Sequence, residues 1–121
     1  MALSVIVLEK DPGVARSLAS QLLSHFSVHL TCSQEHLRDS VASTQPQAVV
    51  LNIEYSRLTE VESLHRDFPQ LPIVCTHRVP DEDMWMAALA AGATDVCPAD
   101  DAGKVLTSVL RSTGAARSAA A

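Results

Sequence analysis

Glu9, Lys10, Asn52 and His77 are the side chains whose types and placement point to chemistry, with Pro98 to Asp100 as a further stretch of interest. Each follows a short apolar run. A carboxylate and an imidazole are general acid–base groups and metal ligands, an ammonium holds anions, and an amide both donates and accepts. Glu9 and His77 have ligand types, yet a metal site needs three or four such groups. His77 also reads as a base, a phosphorylatable imidazole or a solvated loop histidine, and with Lys10 it could hold an anion. His25, His29, His36 and His65 fall on helices or the second strand, with no i, i+4 pair aimed at a shared cleft.

The elements that must position these groups alternate along the chain. Ser4 to Leu8 is a continuous β-branched run, suited to a strand covered on both faces. Asp11-Pro12 opens a helix, Asp as cap and Pro at the first helical position, whose stripe of Val14, Leu18 and Leu22 ends near His25. A second strand is expected over Phe26 to Thr31, then a helix capped by Ser33 and carrying Leu37 and Val41. Gln47 to Leu51 is the third strand, followed by a helix over roughly Arg57 to Asp67. Ile73 to Thr76 is the fourth strand. The next helix opens at Pro80-Asp81 and stops at Gly92 in the C′ position. Asp95 to Cys97 is a short fifth strand, and Asp100 or Asp101 caps a last helix to about Ser112.

Five strand–helix units with short connections imply parallel strands, right-handed crossovers and helices on both faces. Such sheets hold ligands outside the carboxyl ends of their strands, which is where Glu9, Lys10, Asn52, Thr76, His77 and Pro98 to Asp100 fall. With 121 residues the chain fits one domain, placed at 1–113, with 114–121 as a tail or linker remnant. Hydrophobic residues at 47% and aromatics at only 3% predict a folded, aliphatic core. A net charge of −5, without a basic run, argues against nucleic-acid partners. No apolar run reaches the roughly 20 residues of a membrane span, and the N-terminus lacks a signal-peptide pattern. Cys32, Cys75 and Cys97 are isolated, so they read as reduced buried thiols in a cytoplasmic protein.

From Ser4 to Arg111 the sequence resembles the receiver domain of bacterial response regulators. Pro46 to Asn52 (PQAVVLN) looks like the family's third-strand phrase, with the phosphoacceptor six residues after the Pro. Leu71-Pro72-Ile73-Val74 resembles the start of strand four, and Ala91-Gly92-Ala93-Thr94-Asp95 the phrase before strand five. The resemblance implies a flavodoxin-like α/β fold, a (βα)5 three-layer sandwich with strand order 2-1-3-4-5. It also implies phosphotransfer onto a third-strand Asp. Two acidic residues after strand one would hold Mg²⁺, a Thr or Ser after strand four and a Lys after strand five would hold the phosphoryl oxygens, and an aromatic on strand five would report the switch.

Position by position, the sequence departs from that set. Glu9 keeps the first carboxylate, but Lys10 stands at the second and Asn52 at the phosphoacceptor. Counting five residues on from Pro72, or fifteen back from Gly92, places His77 at the hydroxyl position; a slip of one restores Thr76. The Lys position falls on Ala99 and the switch aromatic on Val96. An acyl phosphate needs a carboxylate nucleophile, and an amide is a far poorer one. Mg²⁺ wants hard oxygen ligands, and an ammonium ~4 Å from a divalent ion repels it by about 2 kcal/mol even in water. Loss of the Lys removes charge stabilisation of the phosphoryl group.

The sequence therefore predicts a degenerate receiver, a pseudo-receiver acting by protein–protein contact, with no cofactor, no metal and no catalysis. Glu9, Lys10 and Asn52 are expected to satisfy one another, Lys10 supplying the charge of the missing metal, unless Asn52 locks a permanent state. Rival readings are a phosphoacceptor using Glu54 or Asp11, an anion or small-ligand switch at the strand edge, and a structural dimerisation domain. Trp85, with Ala88, Leu89 and Gly92 at helical spacing, is expected in the core, leaving Met84, Ala87 and Ala91 outward as an interface. In receivers the face of helix four, strand five and helix five is the usual output and dimerisation surface, so a homodimer there is one expected partnership. Asp81-Glu82-Asp83 suits a helix N-terminus, and Tyr55 is placed to lie over the cleft.

Overall fold

A computed structural model describes residues 3–31 and 33–113. The expected buried thiol of Cys32 and the proposed tail at 114–121 lie outside them. Ten elements alternate: β1 (Ser4–Leu8), α1 (Pro12–Leu22), β2 (Ser27–Thr31), α2 (Gln34–Thr44), β3 (Ala48–Asn52), α3 (Leu58–Asp67), β4 (Ile73–His77), α4 (Glu82–Ala91), β5 (Asp95–Pro98) and α5 (Ala102–Thr113). All strand pairs are parallel, in the order β2-β1-β3-β4-β5, which is the flavodoxin-like arrangement.

Side-chain alternation along the central strands divides the interior into two layers. Ile6, Leu8, Val49, Leu51, Ile73 and Cys75 face α2, α3 and α4, where Leu37, Val41, Val61, Leu64 and Ala88 meet them. Val5, Val7, Ala48, Val50, Val74 and Cys97 face α1 and α5, against Leu18, Leu22, Val105 and Val109. This is why β1 and β3 read as unbroken apolar runs: both of their faces are covered. β2, at the sheet edge, is mostly exposed.

Capping fixes where the helices begin. Asp11 accepts from the N–H groups of Gly13 (2.9 Å) and Val14 (3.2 Å), Asp81 from Met84 (2.8 Å), and Asp101 rather than Asp100 from Lys104 (3.1 Å). Ser33 occupies the N-cap position of α2 but its side chain makes no capping bond; its own N–H donates to the Thr31 hydroxyl. Strands β3 and β4 each run to the residue that the sequence placed just past or at their ends, Asn52 and His77. The ladder bonds continue there, with Ile53 N–H donating to Thr76 and Ala99 N–H to His77.

α4 departs from expectation. It faces the core with Ala88 and Ala91, while Met84 is half-buried and Ala87 exposed. Trp85 is 46% exposed and Met86 60%. The reason is steric: two methyl-sized residues one turn apart bring the helix close to the sheet, so bulky neighbours must turn to the rim or to solvent. Trp85 is thus not a core residue, and Ala91 is not part of an outward face.

Gly92 ends α4 with φ of 115°, and a Cβ built there would lie 2.6 Å from His65 Cγ on α3. Gly92→Ala should cost about 1–2 kcal/mol from the left-handed backbone, with the displacement of His65 in addition. Urea unfolding should show the loss, and adding His65→Ala should recover only the steric part.

Candidate functional site at the carboxyl edge of the sheet

Strand adjacency places β1 beside β3 and β3 beside β4, so Glu9, Asn52 and Thr76 meet at one edge. Glu9 is only 5% exposed, and both of its oxygens are engaged. Oε1 accepts from the Asn52 side-chain amide at 2.7 Å, and Oε2 from the Asp11 N–H at 3.1 Å. The Asn52 oxygen accepts from the Glu54 N–H at 2.8 Å. That pair of neighbours leaves one amide orientation, because Glu54 N–H can only donate and a carboxylate only accept. Asn52 is therefore a bipolar connector, a role no carboxylate could fill.

Lys10 stands apart from this pair. It is exposed, and its Nζ lies 5.6 Å from the centroid of the Tyr55 ring in a cation–π arrangement. The three-way satisfaction expected from the sequence is thus a two-way bond, with Tyr55 drawing the ammonium away. Burial and the field of Glu9, Glu54 and Asp11 push the Tyr55 phenol above its usual range.

The loops beyond β3 and β4 are fastened to each other. Glu54 Oε1 accepts from the Arg78 N–H and Oε2 from Arg78 Nε, each at 2.9 Å. Burial alone would raise the Glu54 carboxyl, but the Arg78 backbone and side-chain donors outweigh it and hold the group below its usual range. Glu54 and Asp11, the alternative acceptors considered from sequence, are both occupied, one by Arg78 and the other as the cap of α1. Arg78 was not singled out from sequence; its signal is a cation in the loop directly after a strand end, opposite a carboxylate in the neighbouring loop.

Thr76 and His77 differ sharply. Thr76 sits opposite Asn52 in the register and is fully buried, and among the described residues its hydroxyl has no hydrogen-bond partner. His77 is half-buried, and its Nδ1 accepts from the Val79 N–H at 3.0 Å. It borders a groove of about 470 Å³ with Ile53, Tyr55, Leu58 and Met84. Ala99 is buried, and its N–H donates to the His77 carbonyl at 2.9 Å. A second groove of about 460 Å³ lies at the opposite end of the sheet, around Gln45, Pro46, Phe68 and Pro69, remote from this cluster.

The donor set does not suit a hard divalent cation. Among the described residues no group of three or more His, Cys, Asp or Glu side chains converges. Glu9, the buried carboxylate at this edge, accepts one N–H donor on each oxygen. Cys75 and Cys97 are free and buried, and burial raises their thiols to about 12 and about 11, with Asp95 adding to the rise at Cys97. Neither is a ready nucleophile.

No model of a protein family and no curated protein matches the sequence. Solved structures do match. The N-terminal signal receiver domain of a two-component response regulator from Bacteroides fragilis has a TM-score of 0.83 at 22% identity, covering 93% of this chain and 98% of that one. A CheY-like protein (tadZ) from Pseudomonas aeruginosa PAO1 gives 0.77 at 24%, covering 94% and 95%. The BeF3-activated receiver domain of DrrB, a Thermotoga maritima protein, gives 0.82 at 17%, covering 94% and 99%. At these identities the likeness establishes the fold.

Asn52→Asp should test the connector. It replaces a donor with a second carboxylate against a buried one, so one of the two must hold a proton or the pair must separate. The folded-state carboxyl then titrates above its unfolded value, and the variant should lose stability as pH rises through the carboxylate range, by about 2 kcal/mol or more near neutrality. Denaturant midpoints of variant and wild type should converge at acidic pH.

Proposed function

We propose that this chain is a receiver-like signalling module that works by protein–protein contact and does not accept a phosphoryl group. The observation that carries the reading is the Asn52-to-Glu9 hydrogen bond of 2.7 Å, which occupies the acceptor position and the first metal position with each other. Lys10, turned to the Tyr55 ring, stands in place of a second metal ligand, and Ala99 in place of the phosphoryl-holding cation. Electrostatic stabilisation is the main contribution a protein makes to phosphoryl transfer, so its loss at Lys10 and Ala99, together with the missing carboxylate nucleophile at Asn52, leaves little acceptor chemistry. The module is non-catalytic in this reading. Its two buried free thiols suit a reducing compartment, and the cytoplasm is the proposed location.

Trp85 on α4 provides an intrinsic probe. Titration with Mg²⁺ and beryllofluoride should leave its emission unchanged, and incubation with a radiolabelled phosphodonor should leave the chain unmarked. A saturable fluorescence change, or stoichiometric label on an acidic side chain, overturns the reading.

The contact surface proposed is the outer side of α4. Trp85 (46% exposed), Met86 (60%) and Leu89 (37%) lie there, together with exposed Ala87. Between Met84 and Thr94 no charged side chain interrupts it. Contiguous exposed apolar surface of this kind marks interaction sites. A homodimer through α4, β5 and α5 is the arrangement proposed first. Sedimentation over a concentration series should show association that Met86→Glu abolishes; a monomer throughout rules out self-pairing and leaves a heterologous partner. The net charge of −5 argues for a protein over a nucleic acid as that partner.

A further inference from the structure

The loop between β4 and α4 is held by an arrangement that depends on the charge of one side chain. His77 ends β4, and its Nδ1 accepts the Val79 N–H two residues on at 3.0 Å. That is the geometry of an Asx turn, with an imidazole nitrogen in place of the usual side-chain oxygen. The bond requires a lone pair on Nδ1, so it exists only when the ring is neutral and carries its proton on Nε2. Protonation turns the acceptor into a donor, and two N–H groups then face each other. Val79, whose amide is caught in this turn, is 76% exposed and leads through Pro80 into the capped start of α4.

We infer that His77 is a proton-operated latch: the neutral imidazole closes the turn that presents Val79 beside α4, and acidification opens it. Histidine is the side chain whose unperturbed charge change lies nearest to neutral pH. The groups around the ring act in opposite senses. From the segment after β3, the Glu54 carboxylate favours the imidazolium, while Arg57 on the same segment opposes it and Tyr55 is neutral. On its own loop, Arg78 opposes it and is itself held by Glu54. Met84 of α4 lines the same groove, and β5 places Pro98 opposite His77 in the register. The charged groups nearest along those elements are Asp81, Glu82 and Asp83 at the start of α4 and Asp100 after β5, all of which favour the imidazolium. The inference is independent of whether the chain is phosphorylated.

The test uses the whole chain and two NMR readouts. At about pH 8 the ring nitrogens of His77 should show the Nε2–H tautomer. As the pH is lowered through the His77 titration, the protection factor of the Val79 amide should fall by about fivefold to tenfold, tracking that titration. His77→Asn keeps an acceptor oxygen in the place of Nδ1 but cannot titrate, so it should hold Val79 protected at both ends of the range. A His77 ring protonated on Nδ1 at high pH, Val79 protection that ignores the His77 titration, or a step that survives in His77→Asn would each overturn the latch.

Discussion

A carboxylate buried at the end of a strand must find N–H donors, and Glu9 finds them in Asn52 and Asp11. The rest of the edge is arranged around that requirement. Because Glu9 takes a proton-bearing partner from β3, position 52 has to be an amide. Because the amide then has an oxygen to spare, it receives the Glu54 N–H and shapes the turn after β3. That turn sets Tyr55 where Lys10 can lie over its ring and sets Glu54 where Arg78 can reach it. One hydrogen bond between adjacent strands thus propagates into both loops that frame the edge.

Charge at the edge is balanced by pairs within the chain. Arg78 neutralises Glu54 outside the buried pair, while Lys10 is spent on an aromatic face in solvent. Glu9 is stabilised by dipoles instead of by an ion, which is less sensitive to salt and to the supply of metal. Thr76 is the member of the edge that no described residue hydrogen-bonds.

The fold was legible in the sequence because its signals are local. Continuous β-branched runs, Asp at three helix starts and Gly92 at a helix end each report a backbone state directly, and their order gives the topology. Within the site, the types and edge location of Glu9, Asn52 and His77 could be read, since parallel strands place their carboxyl ends together. Which atoms bond there could not. Lys10 is equally able to reach a carboxylate or an aromatic ring, and the choice depends on where the loop after β3 puts Tyr55. The Glu54–Arg78 pair joins two loops far apart in sequence, and nothing periodic announces it. Trp85 was misplaced for a similar reason: helical spacing says which residues share a face, but not which face the sheet takes. Ala88 and Ala91 decide that, through close approach.

The narrow footing of α4 has its own consequence. A helix seated on two alanine methyl groups buries little of its bulk, and at roughly 25 cal/mol per Å² of apolar surface its grip on the sheet is weak compared with that of α1 or α5. Its large side chains, Trp85 and Met86, sit on the far side like handles. The apolar bulk of this helix is therefore left on its outer side, where an attached molecule would meet it before the interior layers.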